Sequence, residues 1–183
     1  IAMLSSGNLA ISQQVWSRLQ EGVWLDGERL TLRNVPSMFR AAQLVGAAVR
    51  AVFDADGPSL RAQGFSFDVA LLLGGQIAGQ AMRLFEIYAA GNFIEATRET
   101  CFFQIGESKY GKPVLDRLIT PDTPLEVAAK CALVSMDSTI NSNLSVGLPL
   151  DLLVYQNNQF QTEQIVCIDE NNPYYKMVHN TWG

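Results

Sequence analysis

The sequence carries one histidine, His179, and three cysteines, Cys101, Cys131 and Cys167, in 183 residues. None of them forms a CxxC pair or a His-rich run, so the usual zinc and iron–sulfur ligand patterns are excluded. Odd, scattered thiols fit a reducing compartment, and each is read as a small buried core residue. Continuous apolar runs long enough for a membrane span are lacking, as is a basic-then-apolar leader pattern. Clustered lysine and arginine are lacking too. The formal net charge of −5 argues against a nucleic-acid footprint. The expectation from these absences is a cytoplasmic protein with no metal, no nucleic acid and no membrane as partner.

What is present is a globular composition, 48% hydrophobic and 17% charged, with length for one domain spanning 1–183. Ile1–Leu4 reads as a buried strand already under way, so the natural beginning is expected to be missing. Ser5–Asn8 supplies turn and cap residues, with Asn8 or Ser6 as the helix cap. Ile11, Val15 and Leu19 then share a helical face with Trp16 beside them, and Glu21-Gly22 ends the helix. A loop with Asp26-Gly27 leads to a second helix, whose Met38, Ala42, Val45, Val49, Val52 and Phe53 recur at helical spacing. Asp56-Gly57-Pro58 is expected to stop it. From Phe65 to Leu73 the period changes to two, predicting a strand closed by Gly74-Gly75. Met82–Tyr88, the turn Ala90-Gly91-Asn92, Asn92–Ala96 and Cys101–Ile105 continue an expected antiparallel meander.

A second helical block follows. Lys109–Ile119 is a short helix with Pro113 in its first turn. Thr123-Pro124-Leu125-Glu126 has capping-box spacing, and the helix it opens is expected to bury Leu125, Ala129, Ala132, Leu133, Met136 and Ile140. Leu150–Tyr155 and Phe160–Ile168 read as a hairpin, and Asn171–Gly183 as a polar, aromatic tail suited to packing or subunit contact. Asp137 reads as a solvated helix-face charge and Asp151 as a strand-edge residue. Helices in two blocks flanking antiparallel strands predict an α+β sandwich with a helical layer on each outer face.

Several runs go beyond pattern. Leu84-Phe85-Glu86-Ile87-Tyr88 with Gly91-Asn92-Phe93-Ile94-Glu95-Ala96, and Ile105-Gly106-Glu107-Ser108-Lys109-Tyr110-Gly111-Lys112-Pro113-Val114-Leu115-Asp116, resemble segments of proteasome β-type subunits in order. So do Ala128-Ala129-Lys130-Cys131-Ala132-Leu133, Asp137-Ser138-Thr139, Asn143-Leu144-Ser145-Val146-Gly147 and Leu150-Asp151-Leu152-Leu153-Val154-Tyr155. Within that superfamily the likeness is to the bacterial ancestral β-subunit branch, Anbu, from Leu4 to the tail. The resemblance implies a four-layer αββα sandwich of the N-terminal nucleophile hydrolase type. It implies a threonine peptidase whose first processed residue attacks an amide with its own α-amino group as base, in subunits that assemble into a ring or spiral homo-oligomer acting on a peptide or protein substrate.

On this resemblance the nucleophilic threonine and its aspartate and lysine fall outside the sequence, which by itself is expected to be inert. Ser6 falls nearest the oxyanion donor, with Gly7 the alternative one residue on, and plain helix capping is the competing reading. Leu4 would line the substrate pocket or be core. Ser108 matches a serine near the threonine amine, or caps the helix after it; Glu107 interrupts the family's glycine-serine-glycine run there. Asn143 and Ser145 fall near a supporting aspartate and serine, or form a polar helix end. Asn for Asp removes a negative charge and changes how an amine would be tuned. A catalytically inactive assembly subunit and a related amidohydrolase are the alternatives.

Overall fold

The computed structural model describes residues 1–161 and 165–182, and the chain divides into two compact units, Ile1–Thr97 and Arg98–Gly183. Its content is mixed α and β throughout.

The first unit is built on a four-stranded antiparallel sheet with two helices on one face, and a small separate hairpin. Strands β1 (Ala2–Gly7), β4 (Val69–Gly75), β5 (Arg83–Ile87) and β6 (Phe93–Glu95) lie in the order β1-β4-β5-β6. Strand β1 is therefore an edge among the described residues. The expected buried strand is corrected here: Leu4 is 63% exposed, and Met3 alone of β1 packs on the core. The strand also runs on through Ser5 and Ser6 to Gly7, where a turn was expected.

Helix α1 (Leu9–Glu21) starts at Asn8, whose Oδ1 accepts from the Ala10 N–H at 2.9 Å. Ile11, Val15 and Leu19 are buried on its inner stripe, and Gly22 ends it. Asp26-Gly27 turns a small hairpin, β2 (Val23–Leu25) with β3 (Glu28–Leu30), both turn residues having positive φ; this suits a two-residue hairpin loop.

Helix α2 (Met38–Ala62) runs through Asp56-Gly57-Pro58 instead of stopping there. Proline removes one helical N–H, but Pro58 and the carbonyl four residues back that would have accepted from it, that of Asp54, are both on the exposed side. Beyond the proline, Leu60 packs on the core, and just before it Asp56 accepts a hydrogen bond from Gln14 of α1. That burial holds the last turn in place. The core of this unit is the α1–α2 inner surface against Val69, Leu71, Leu73, Phe85 and Ile87, the alternate residues of β4 and β5. Phe65–Asp68 stay outside β4, with Phe65 at 63% exposure. Cys101–Ile105, the expected fourth meander strand, forms no ladder; β1 takes the fourth place in the sheet.

Two glycines make the contact between α2 and the β5–β6 turn possible. A Cβ on Gly46 would stand 2.2 Å from the Gly91 carbonyl oxygen, and one on Gly91 would stand 2.5 Å from that of Gly46. Backbone meets backbone, and Arg50 donates to the Gly91 carbonyl at 2.8 Å beside it.

In the second unit, α3 (Lys112–Leu118) is shorter than expected, with Pro113 in its first turn. Helix α4 (Leu125–Ser142) begins without the expected capping box: the Thr123 hydroxyl accepts from the Thr120 N–H at 2.8 Å instead. Its buried residues are Cys131, Leu133, Ser135, Asp137 and Thr139, so only Leu133 of the expected apolar stripe is buried. The helix is packed on two sides, by α3 and by α5 (Pro173–Trp182). Gly111 lies so near α4 that a Cβ there would stand 2.4 Å from the Ser135 hydroxyl. Small polar residues fit that close approach where leucine would not. Strands β7 (Leu150–Leu153) and β8 (Ile165–Ile168) form an antiparallel ladder pairing Leu150 with Ile168. It is shorter than the expected hairpin, whose residues 162–164 lie outside the described ones. Of the three cysteines, which are free, only Cys131 is buried; Cys101 is intermediate and Cys167 exposed, which corrects the expectation of three core thiols.

Candidate functional site

In the first unit, β1 carries the residues read as oxyanion turn and pocket. Leu4 and Ser6 alternate with Met3 and Ser5, so they lie on the sheet face opposite α1 and α2. Leu4 pairs with Leu72 and Ser6 with Ala70. Gly7 has φ +95°, and a Cβ there would stand 2.5 Å from the Asp68 carbonyl oxygen, so that position requires glycine. The competing reading of Ser6 as helix cap does not hold, since Asn8 has that role. Sequence reasoning passed over Glu86, which shares this face: Leu4, Leu72 and Glu86 are in register across β1, β4 and β5. Burial raises its carboxyl pKa above the ordinary range. On the other face, a cleft of about 850 Å³ runs along α1, lined among others by Ile1, Met3, Leu9, Trp16 and Leu32.

In the second unit two of the three residues read as supporting shell, Asn143 and Ser145, come together, and Asn143 meets a residue that was read as an interruption, Glu107. The Asn143 amide nitrogen donates to the Glu107 carboxylate at 2.8 Å. The Asn143 amide oxygen accepts from the Ser145 N–H at 2.9 Å and hydroxyl at 2.7 Å. The other Glu107 oxygen accepts from the Lys109 N–H at 2.8 Å. An ionised carboxylate only accepts, so it fixes which way the Asn143 amide points. Asn143 is also the C-cap of α4, with its N–H on the Thr139 carbonyl, so the two readings of it are compatible. Ser108 does not cap α3, whose cap is Gly111 without a side-chain bond; its carbonyl accepts from the Lys112 N–H at 3.0 Å.

Asp137 overturns its reading as a solvated charge. It is fully buried and accepts from the Tyr175 hydroxyl at 3.0 Å, the Asn141 amide at 3.3 Å and His179 Nδ1 at 2.8 Å. Two of these partners, Tyr175 and His179, are in place because the expected tail is helix α5. A signal for it was present: Asn172 precedes Pro173, and the Asn172 Oδ1 accepts from the Tyr175 N–H at 3.0 Å as an N-cap would. Tyr175, Val178 and Trp182 then follow at helical spacing.

Burial first, then the hydrogen bond to Asp137 and its charge, push the Tyr175 hydroxyl up to about 12. The fold thus favours the neutral phenol. The stability this gives is complete below the unfolded value of about 10 and is lost as pH rises towards about 12. An absorbance titration should show a late tyrosine ionisation there that Tyr175→Phe removes.

Among the described residues, no group of three or more His, Cys, Asp or Glu side chains is placed to hold a metal ion, and no helix is long and apolar enough to cross a membrane.

The fold and much of the sequence recur in known structures. Anbu (ancestral beta-subunit) from Yersinia bercovieri matches with a TM-score of 0.90 and 52% identity, covering 99% of this chain and 74% of that one. The chain belongs to the Anbu family. Two further Anbu structures agree. One, titled a helical assembly of the Anbu complex from Pseudomonas aeruginosa, has a TM-score of 0.89 and 47% identity over 98% of this chain and 73% of that one. Anbu from Hyphomicrobium sp. strain MC1 has a TM-score of 0.85 and 46% identity over 98% and 74%. Neither a protein-family model nor a curated protein matches the sequence. For this Anbu chain the expected family resemblance, drawn from the Gly91–Ala96 and Gly111–Asp116 runs, is therefore met.

Proposed function

We propose that this Anbu chain is a subunit of a self-assembling, proteasome-like peptidase. The observation that carries the reading is the 52% identity to an ancestral β-subunit over 99% of the chain, together with the helical assembly named for the Pseudomonas relative. In this reading residues 1–183 belong to one proteasome-like domain, a four-layer sandwich of the N-terminal nucleophile type, working in the cytoplasm without a cofactor. The nucleophile is a threonine outside these residues. Its α-amino group takes the hydroxyl proton, and the hydroxyl oxygen attacks the amide carbonyl of a peptide or protein. A backbone N–H at Ser6 or Gly7 stabilises the oxyanion, Leu4 lines the substrate pocket, and Ser108, Asn143 and Ser145 support the amine.

A second reading, a structural subunit without catalysis, is favoured by one observation. The Asn143 side chain is neutral and is held by Glu107 and Ser145, so it brings no charge of its own to tune a neighbouring amine. One experiment separates the two. Full-length processed protein is treated with a threonine-directed covalent inhibitor and with peptide substrates, and its mass and size are measured. An adduct on the N-terminal threonine with peptide cleavage supports the peptidase. Assembly without adduct or cleavage supports the structural subunit, and a monomer at micromolar concentration overturns both.

A further inference from the structure

The buried Asp137 has no part in the proposed chemistry, yet it joins α4 to the C-terminal helix. Two of its three donors, Tyr175 and His179, stand one turn apart on α5. Tyr175 is enclosed, packed with Leu133 and Ile168. The His179 side chain is 49% exposed while its Asp137 partner is 0% exposed. One end of the pair is thus fixed in the interior, and the other is open to protons from solvent.

We propose that Asp137 and His179 form a proton-operated latch, which tightens the docking of α5 on α4 when the imidazole gains its proton. Histidine is the side chain whose charge ordinarily changes between about pH 5 and pH 8. With the ring neutral, Nδ1–H gives Asp137 one hydrogen bond. With the ring protonated, the same contact at 2.8 Å becomes an imidazolium–carboxylate ion pair. The position adds an effect of the same sign, because His179 lies in the last turn of α5, where a positive charge meets the negative end of the helix dipole. Both effects hold α5 more firmly in acid than in mild alkali.

The elements packed at the pair carry other titratable groups. Helix α4 also carries Glu126, Lys130 and Cys131, and α5 carries Lys176 and the Tyr174 and Tyr175 phenols. The β7–β8 ladder and its exit carry Asp151, Cys167, Asp169 and Glu170. Among the described residues, His179 is the only ion-pair partner of Asp137. A further side-chain hydrogen bond between the helices, Trp182 Nε1 to the Ser138 hydroxyl at 3.1 Å, involves no group that titrates in this range.

Hydrogen–deuterium exchange of the whole chain, corrected for intrinsic rates, tests the latch. Protection of peptides covering 173–182 is compared at about pH 5.5 and about pH 8, with α2 peptides as the folding control. The expected result is about fivefold more protection of α5 at the lower pH. His179→Gln keeps an N–H donor but cannot titrate, so it should abolish the ratio. Ser138→Ala should lower α5 protection equally at both pH values and keep the ratio. Equal wild-type protection at the two pH values, or an unchanged ratio in His179→Gln, overturns the proposal. So does loss of the ratio in Ser138→Ala while α2 stays protected.

Discussion

Asp137→Ala is expected to destabilise the second unit by about 3 kcal/mol, the scale of removing a hydrogen-bonded buried charge. The carboxylate accepts from three side chains, and truncation leaves a void where it stood. The enclosed Tyr175 hydroxyl loses its partner, which carries a desolvation penalty of about 1–3 kcal/mol by itself. Asp137→Asn separates charge from shape. Its carbonyl oxygen can still accept from Tyr175, so the loss should be well under that of alanine. Urea denaturation of both variants, with limited proteolysis to locate the loosened segment, checks the ordering. Equal losses for Asn and Ala would mean that the charge itself, and not the filled and hydrogen-bonded space, holds α5 in place.

Gly46→Ala is expected to be at least as damaging in the first unit, at about 3 kcal/mol or more, the upper range for overpacking. The added carbon would stand 2.2 Å from a carbonyl oxygen of the β5–β6 turn, and backbone cannot rotate aside as a side chain does. Relief requires α2 to lift from the turn, which also breaks the 2.8 Å bond from Arg50 to Gly91. Gly27→Ala is the control. It has a positive φ of 84° but nothing within 4 Å of a built Cβ, so only backbone strain of about 1–2 kcal/mol applies. Thermal unfolding of the two variants should therefore differ clearly. Similar losses would show that the close approach is not what makes Gly46 necessary.

Elements with local causes were legible in the sequence. The Ile11–Val15–Leu19 stripe, the glycine that ends it, and the strands either side of Gly91 depend on neighbours a few residues away. Non-local facts were not legible. Pro58 looks like a stop until Leu60 is known to reach the core. Asp137 looks solvated until donors 38 and 42 residues later are placed against it. The stripe of α4 was misjudged because a helix packed on two sides does not have one apolar face. On the candidate site, sequence likeness singled out Asn143 and Ser145, and the structure brings them together. Glu107 was noticed only as an interruption, since its bond to Asn143 spans 36 residues.

The exposed side of β1 has a practical consequence for handling the chain. Its outer row of peptide groups meets no ladder among the described residues, and Ile1 and Leu4 beside it are 49% and 63% exposed. A strand open along one side, with apolar side chains at hand, invites a strand from another molecule. Preparations limited to these residues should gain turbidity with concentration, and adding a short peptide that pairs with β1 should suppress it.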